Sequence, residues 1–174
     1  MKLRCDLNVN GGERKLLIVQ GPNEPESHLA LKLAACLLFW DSEPLIDASV
    51  KLPVLAGFEF LPDLIGLDAA GESMLWVECG SVTMHKLKKV TRRMPRARIV
   101  VMKETEREAA RLRQDLTEQF DRPERIEILA WPGASFKDWA GRMQERVQVY
   151  GEGGGLMLNL VLNEHPVVIE FKAY

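Results

Sequence analysis

Cysteine is scarce in this 174-residue chain: Cys5, Cys36 and Cys79 are the only three, and they lie far apart. An odd, dispersed set excludes a disulfide framework and reads as a reduced intracellular chain. Aromatic residues make up only 7%. No apolar run is long enough to span a bilayer; the longest, Leu29 to Trp40, is interrupted by Lys32. The opening Met1-Lys2-Leu3-Arg4-Cys5-Asp6 is charged and lacks the apolar centre of a secretory signal. The expectation is a cytoplasmic protein with no membrane role. His28, His85 and His165 fall at no recognised metal-ligand spacing. No local signature of a Ser-His-Asp or Cys-His nucleophile can be assembled.

What the chain does have is the make-up of an ordinary globular protein, 47% apolar and 28% charged. A chain of this length buries roughly 70% of its unfolded surface, so its core needs neither disulfide nor metal. The net charge of -2 argues at first against a polyanionic partner, but it hides an asymmetry. Lys86 to Arg113 carries eleven basic residues against three acidic ones, a local charge of +8, and the remainder carries -10. Two readings stand for that stretch: a surface for phosphates, or the solvated faces of two helices.

Leu3 to Val9 and Lys15 to Val19 alternate apolar and polar residues around Asn10-Gly11-Gly12-Glu13, a strong hairpin signal. After the turn Gly21 to Pro25, the set Leu29, Leu33, Cys36, Leu37 and Trp40 predicts a helix from about Glu26 to Trp40. Strands are expected at Asp47 to Leu55, Pro62 to Leu67 and Met74 to Cys79. From a Thr83 N-cap, the stripe Met84, Leu87, Val90 and Met94 predicts a second helix, ended by Pro95. A strand Arg98 to Met102, a charged helix Glu104 to Phe120, a strand Ile126 to Trp131 and a short helix capped by Ser135 follow. The tail reads as a three-stranded meander, Arg146 to Tyr150, Leu156 to Leu162 and Val167 to Phe171. Gly151 to Gly155 is expected to be a hairpin loop, because neither a Gly-Lys-Ser/Thr nor a helix start follows it.

Three acids fall at telling places. Glu26 opens the first helix, Asp63 opens the strand Pro62-Asp63-Leu64-Ile65-Gly66, and Glu78 sits late in Leu75-Trp76-Val77-Glu78-Cys79-Gly80. An acid between Val77 and Cys79 is costly to desolvate without a cation or hydrogen bonds. A divalent metal is one reason for two carboxylates on neighbouring strands to coexist, and hard oxygens suit Mg²⁺ or Mn²⁺. Taken singly, each acid also reads as a strand-end residue facing solvent.

Pro62-Asp63 followed by Glu78-Cys79-Gly80, in a helix, three strands, helix, strand order, resembles the PD-(D/E)XK nuclease core. More narrowly, the chain is similar to the YaeQ family through Pro25-Glu26-Ser27, Leu61-Pro62-Asp63-Leu64, Leu75-Trp76-Val77-Glu78-Cys79-Gly80 and His85-Lys86-Leu87-Lys88-Lys89-Val90. The resemblance implies an α/β fold with a mixed central β-sheet flanked by helices and extra antiparallel strands at both termini. One nuclease-like domain over 1–174 is expected, with its core at about 24–104, a hairpin at 2–20 and a β-meander at 146–172.

The same resemblance implies metal ligands at Asp63 and Glu78, assisted by Glu26. It also exposes a departure: nucleases of this fold carry a lysine two residues after the strand glutamate, and here Gly80 stands there. A lysine on the second helix can reach the same point. The buried stripe sets Lys86, Lys89 and Arg93 together on a flank, which makes Lys86 or Lys89 the candidate and turns Lys88 and Arg92 further into solvent. All five also read as an ordinary basic helix face. The function expected is metal-dependent phosphodiester hydrolysis on nucleic acid, with Lys88, Arg92 and Arg93 on the phosphate backbone. The alternative is a non-catalytic protein of the same fold that binds nucleic acid or a protein partner.

Overall fold

The computed structural model describes residues 1–174. Asn10 and Gly11, with φ of 51° and 75°, turn β1 (Lys2–Val9) back onto β2 (Gly12–Val19), the left-handed pair that a tight hairpin requires. Helix α1 (Glu26–Leu38) follows, two residues shorter than its apolar period suggests, because Trp40–Ser42 tighten into a 3₁₀ turn. β3 (Leu45–Ile46) is a two-residue strand, and β4 (Leu64–Leu67) and β5 (Ser73–Cys79) complete an antiparallel trio. Helix α2 (Met84–Arg93) is capped by the Thr83 hydroxyl, which accepts from the Lys86 amide. β6 (Arg98–Lys103) runs parallel to β5, helix α3 (Glu106–Gln119) crosses over, and β7 (Ile126–Ala130) pairs parallel to β6. Helix α4 (Phe136–Gly141) leads into β8 (Arg146–Gly154), β9 (Met157–Leu162), β10 (His165–Glu170) and the two-residue β11 (Lys172–Ala173).

These strands form two mixed sheets rather than one central sheet with appendages. The first has the order β10-β9-β8-β1-β2 and the second β11-β7-β6-β5-β4-β3. The terminal strands are not simply antiparallel additions: β1 pairs parallel to β8, and the last strand leaves the meander to join β7. Strand alternation divides the interior into two cores. Leu64, Leu75, Val77, Cys79, Val100, Met102 and Leu129 face α1 and the first sheet, while Ile65, Trp76, Ile99, Val101, Ile126 and Ile128 face α2 and α3. Helix α1 lies between the sheets, and all ten residues from Leu29 to Leu38 are buried. Each fully buried leucine there removes apolar surface worth about 2 kcal/mol from water.

Three local expectations are corrected. Asp47 to Leu55 is not a strand: Asp47 takes φ of 49°, its amide donates to Asp63 O, and the chain leaves the sheet for turns and a 3₁₀ segment at Pro53–Leu55. Ser135 does not cap α4; its hydroxyl accepts from the Trp131 indole at 2.9 Å and donates to Pro132 O at 3.2 Å. The glycine run is strand as far as Gly154, not loop. Composition misleads there because the glycines serve close approach: a Cβ on Gly153 would stand 2.3 Å from Leu37 O at the end of α1. Gly153→Ala is therefore expected to lower stability by about 2–3 kcal/mol through overpacking, measured as a drop in urea midpoint with unchanged slope.

Candidate functional site

The register of the second sheet brings two acids to the same end of neighbouring strands. Leu64 pairs with Val77, so Asp63, one residue before the pair, and Glu78, one residue after it, sit side by side. Asp63 is pinned by its backbone, its amide donating to Val77 O at 3.1 Å, and by its side chain, whose Oδ2 accepts from the Cys79 amide at 2.7 Å. Glu78 is buried. Its Oε1 accepts from the Trp76 indole at 2.7 Å, and its Oε2 accepts from Lys86 Nζ at 2.7 Å. Lys86 comes from the first turn of α2 and also donates to Leu61 O at 2.8 Å.

Helix α1 and the segments beside it supply the rest of the cluster. Lys32, 4% exposed, points its ammonium at Asp47 Oδ1 (2.6 Å), Glu24 Oε1 (2.7 Å) and Asp63 Oδ1 (3.6 Å). His28 Nε2 lies 3.1 Å from Asp63 Oδ1. Glu24 is fixed from its other oxygen, which accepts from the Gly21 amide at 2.7 Å. A third lysine borders the site from β6, where Lys103 Nζ donates to Gly80 O at 2.5 Å.

Burial and charge move the two strand acids apart. For Asp63, burial pushes the carboxyl up, but His28 beside it, the Cys79 amide and Lys32 outweigh burial and hold it below its ordinary value. For Glu78, burial prevails over Lys86, with Asp63 adding to it, and the carboxyl is raised. His28 is raised against its burial, chiefly by Asp63. Lys32 is raised as well, its burial overcome by Asp47, Glu24 and Asp63. Glu24 is lowered despite burial by the Gly21 amide, Lys32 and His28.

Sequence-level candidates thus separate. Asp63, Glu78 and Lys86 come together. Glu26 does not join them: it is exposed in the first turn of α1 and makes no hydrogen bond or ion pair, while Glu24, two residues earlier, does. Lys89 turns to Glu59 (3.5 Å) and Arg93 donates to Ala56 O at 3.3 Å, so the flank of α2 lies along the 56–61 loop. The +8 segment is not one free face either, because Arg98 pairs with Glu127 and Arg113 donates to Pro123 O, Ile126 O and Tyr174 O. Lys88 and Arg92 do stand outward, lining a cleft of about 680 Å³ with Phe120, Arg122 and Arg125. Sequence reasoning missed Glu24, His28, Lys32, Asp47 and Lys103. The one available signal was Lys32, a charge inside the longest apolar run.

Cys79 Sγ lies within 4.8 Å of the Asp63 and His28 ligand atoms, but burial, then Asp63 and Glu78, raise its thiol well above the ordinary value. Burial likewise lifts Cys5 to about 12 and Cys36 to about 11. The arrangement is therefore one of carboxylates and ammoniums, without a thiolate nucleophile.

Fold and site define a mixed α/β protein with two mixed sheets flanked by helices and a buried carboxylate–lysine cluster at one sheet end. The sequence model of the YaeQ protein family matches residues 10–159, and the chain belongs to that family. Among solved structures it is similar to the YaeQ protein from Xanthomonas axonopodis pv. citri, at 16% identity and a TM-score of 0.71 over 99% of this chain and 95% of that one. It is also similar to the YaeQ protein from Pseudomonas syringae, at 14% identity and a TM-score of 0.71, covering 99% and 93%. No curated protein matches. No helix is long and apolar enough to cross a membrane.

Two outcomes are expected from this geometry. Lys86→Met leaves Glu78 buried without its cation and costs about 2–3 kcal/mol in urea unfolding, much of it recovered when Glu78→Gln is added. A thiol reagent at mildly alkaline pH labels no cysteine in the native chain and all three free cysteines after denaturation.

Proposed function

We propose that the Asp63–Glu78–Lys86 centre is the site of a metal-assisted phosphodiester hydrolase acting on nucleic acid. The observation that carries this reading is Lys86 Nζ, 2.7 Å from Glu78 Oε2: a lysine from α2 stands beside the strand glutamate where Gly80 supplies none. The element order α1, β3, β4, β5, α2, β6, with β5 and β6 parallel, supports it as a likeness to the PD-(D/E)XK nuclease core. Such likeness bears on fold and is not by itself an activity.

The donor set fits a hard divalent cation. Asp63 and Glu78 offer oxygens from adjoining strand ends, and the four carboxylates Glu24, Asp47, Asp63 and Glu78 face two ammonium groups, Lys32 and Lys86. The carboxylates thus outnumber the ammonium groups, an excess of negative charge that one Mg²⁺ or Mn²⁺ would meet. Asp63 and Glu78 would hold that ion, which when bound neutralises phosphate charge and acidifies a water. The chain's own part is positioning and charge. Lys86 holds Glu78 in place and presents an ammonium to the developing anion. Lys88 and Arg92 offer salt-dependent contacts to the phosphate backbone outside the centre, and Arg93 does so at its edge.

A second reading, a non-catalytic protein of this fold that binds nucleic acid or a protein partner, is favoured by one observation: both Glu78 oxygens already accept hydrogen bonds. Calorimetric titration with Mg²⁺ and Mn²⁺, followed by cleavage assays on single-stranded, duplex and structured DNA and RNA, separates the two. The hydrolase reading expects metal-dependent cleavage that falls by at least about a hundred-fold in Asp63→Asn and Lys86→Met. Absence of binding at millimolar metal rejects it. Salt-dependent nucleic-acid binding that survives in Asp63→Asn then leaves the second reading standing.

A further inference from the structure

Lys32 is the one buried base in the chain. It rises from the middle of α1, where its helix neighbours are apolar except for His28 one turn before it, and its ammonium reaches the polar end of the second sheet. There three carboxylates from three separate segments meet it: Glu24 before α1, Asp47 after β3 and Asp63 before β4. Three oxygens, two at 2.6 and 2.7 Å and the third at 3.6 Å, surround one cation and form an anionic cage. An ammonium supplies one positive charge to that cage and, being tethered to the helix, cannot leave it. Asp63 is the shared member. Its Oδ1 faces Lys32 while its Oδ2 is held by the Cys79 amide, beside Glu78.

We infer that Lys32 is a resident cation, a positioning residue that fills one of two adjacent cation positions around Asp63 and so limits the centre to a single divalent ion. This rests on the hydrolase reading for the second position, the one between Asp63 and Glu78. Lys32 itself touches no substrate; it acts through Asp63, whose Oδ1 it faces at 3.6 Å. The charge count agrees: four carboxylates against two ammonium groups, with His28 also beside Asp63, leave charge for at most one divalent ion and not for two.

Mn²⁺ titration, read by calorimetry and by the electron paramagnetic resonance of free Mn²⁺, tests this on the full chain. Only ions whose binding is lost in Asp63→Asn are counted. The wild type is expected to take one such ion, and Lys32→Met to take a second or to bind at least about ten-fold more tightly. Two ions in the wild type overturn the inference and leave the hydrolase reading intact. A folded Lys32→Met with wild-type count and affinity also overturns it. No ion in the wild type but one in Lys32→Met upholds Lys32 as the resident cation while the hydrolase reading fails, and none in either rejects both. If Lys32→Met is unfolded without metal, recovery of its circular dichroism on adding Mn²⁺ supports the inference, and no recovery at any concentration counts against it.

Discussion

A helix buried on every side is the constraint from which the rest of this structure follows. α1 touches strands of both sheets as well as α4, and ten consecutive residues of it are withdrawn from water. Beyond its first turn, a helix in that position has no solvated face on which to put a charge. The indole of Trp139 donates to Ala30 O and ties α4 across it, and β8 passes so close to its C-terminal end that Gly153 has no room for a side chain. The single ammonium it carries must find anions within the protein, because an unpaired buried charge costs several kcal/mol. Glu24, Asp47 and Asp63 meet that demand, and this gathers acids from three segments at one place.

The second electrostatic consequence is the division of labour between Asp63 and Glu78. Both are largely withdrawn from solvent, yet one is held below its ordinary pKa and the other above it. The difference lies in partners: a histidine, a backbone amide and a lysine around Asp63, against a deeper position, a nearby carboxylate and one strong cation for Glu78. Neighbouring acids driven in opposite directions are the usual preparation for distinct roles in one reaction, and structural ion-pair networks produce the same separation.

Much of the frame was legible because its signals are local. Asn10-Gly11 specifies a turn by itself, and Thr83 with the stripe Leu87, Val90 and Met94 fixes both the start and the rotation of α2, which is why the sequence alone narrows the lysine to Lys86 or Lys89. The misses share a cause: each depends on pairing between distant segments. Asp47 reads as the start of a strand, but its positive φ and its bond to Asp63 O belong to an exit from the sheet. Glu24 reads as a turn residue, and only the Gly21 amide and Lys32 give it a place in the cluster. Glu26 stands out in the sequence because it opens the first helix and lies in the stretch Pro25-Glu26-Ser27, though nothing local ties it to the other acids. Gly151 to Gly154 has the composition of a loop, yet the neighbouring backbones make it strand. His28 looked like background because its partner lies 35 residues away.

The pairing of β1 with β8 also governs the order of events at the ribosome. Residues 4–9 and 146–151 are hydrogen-bonded neighbours at the middle of the first sheet. The β1–β2 hairpin therefore waits, with one edge bare, until β8 has been made. Throughout that interval α1 has only one of the two layers that cover it. Contacts of such sequence separation close slowly, and open strand edges and uncovered apolar helices invite association with other chains. Nascent chains of this topology have reason to depend on holding chaperones during synthesis, whatever the finished fold goes on to do.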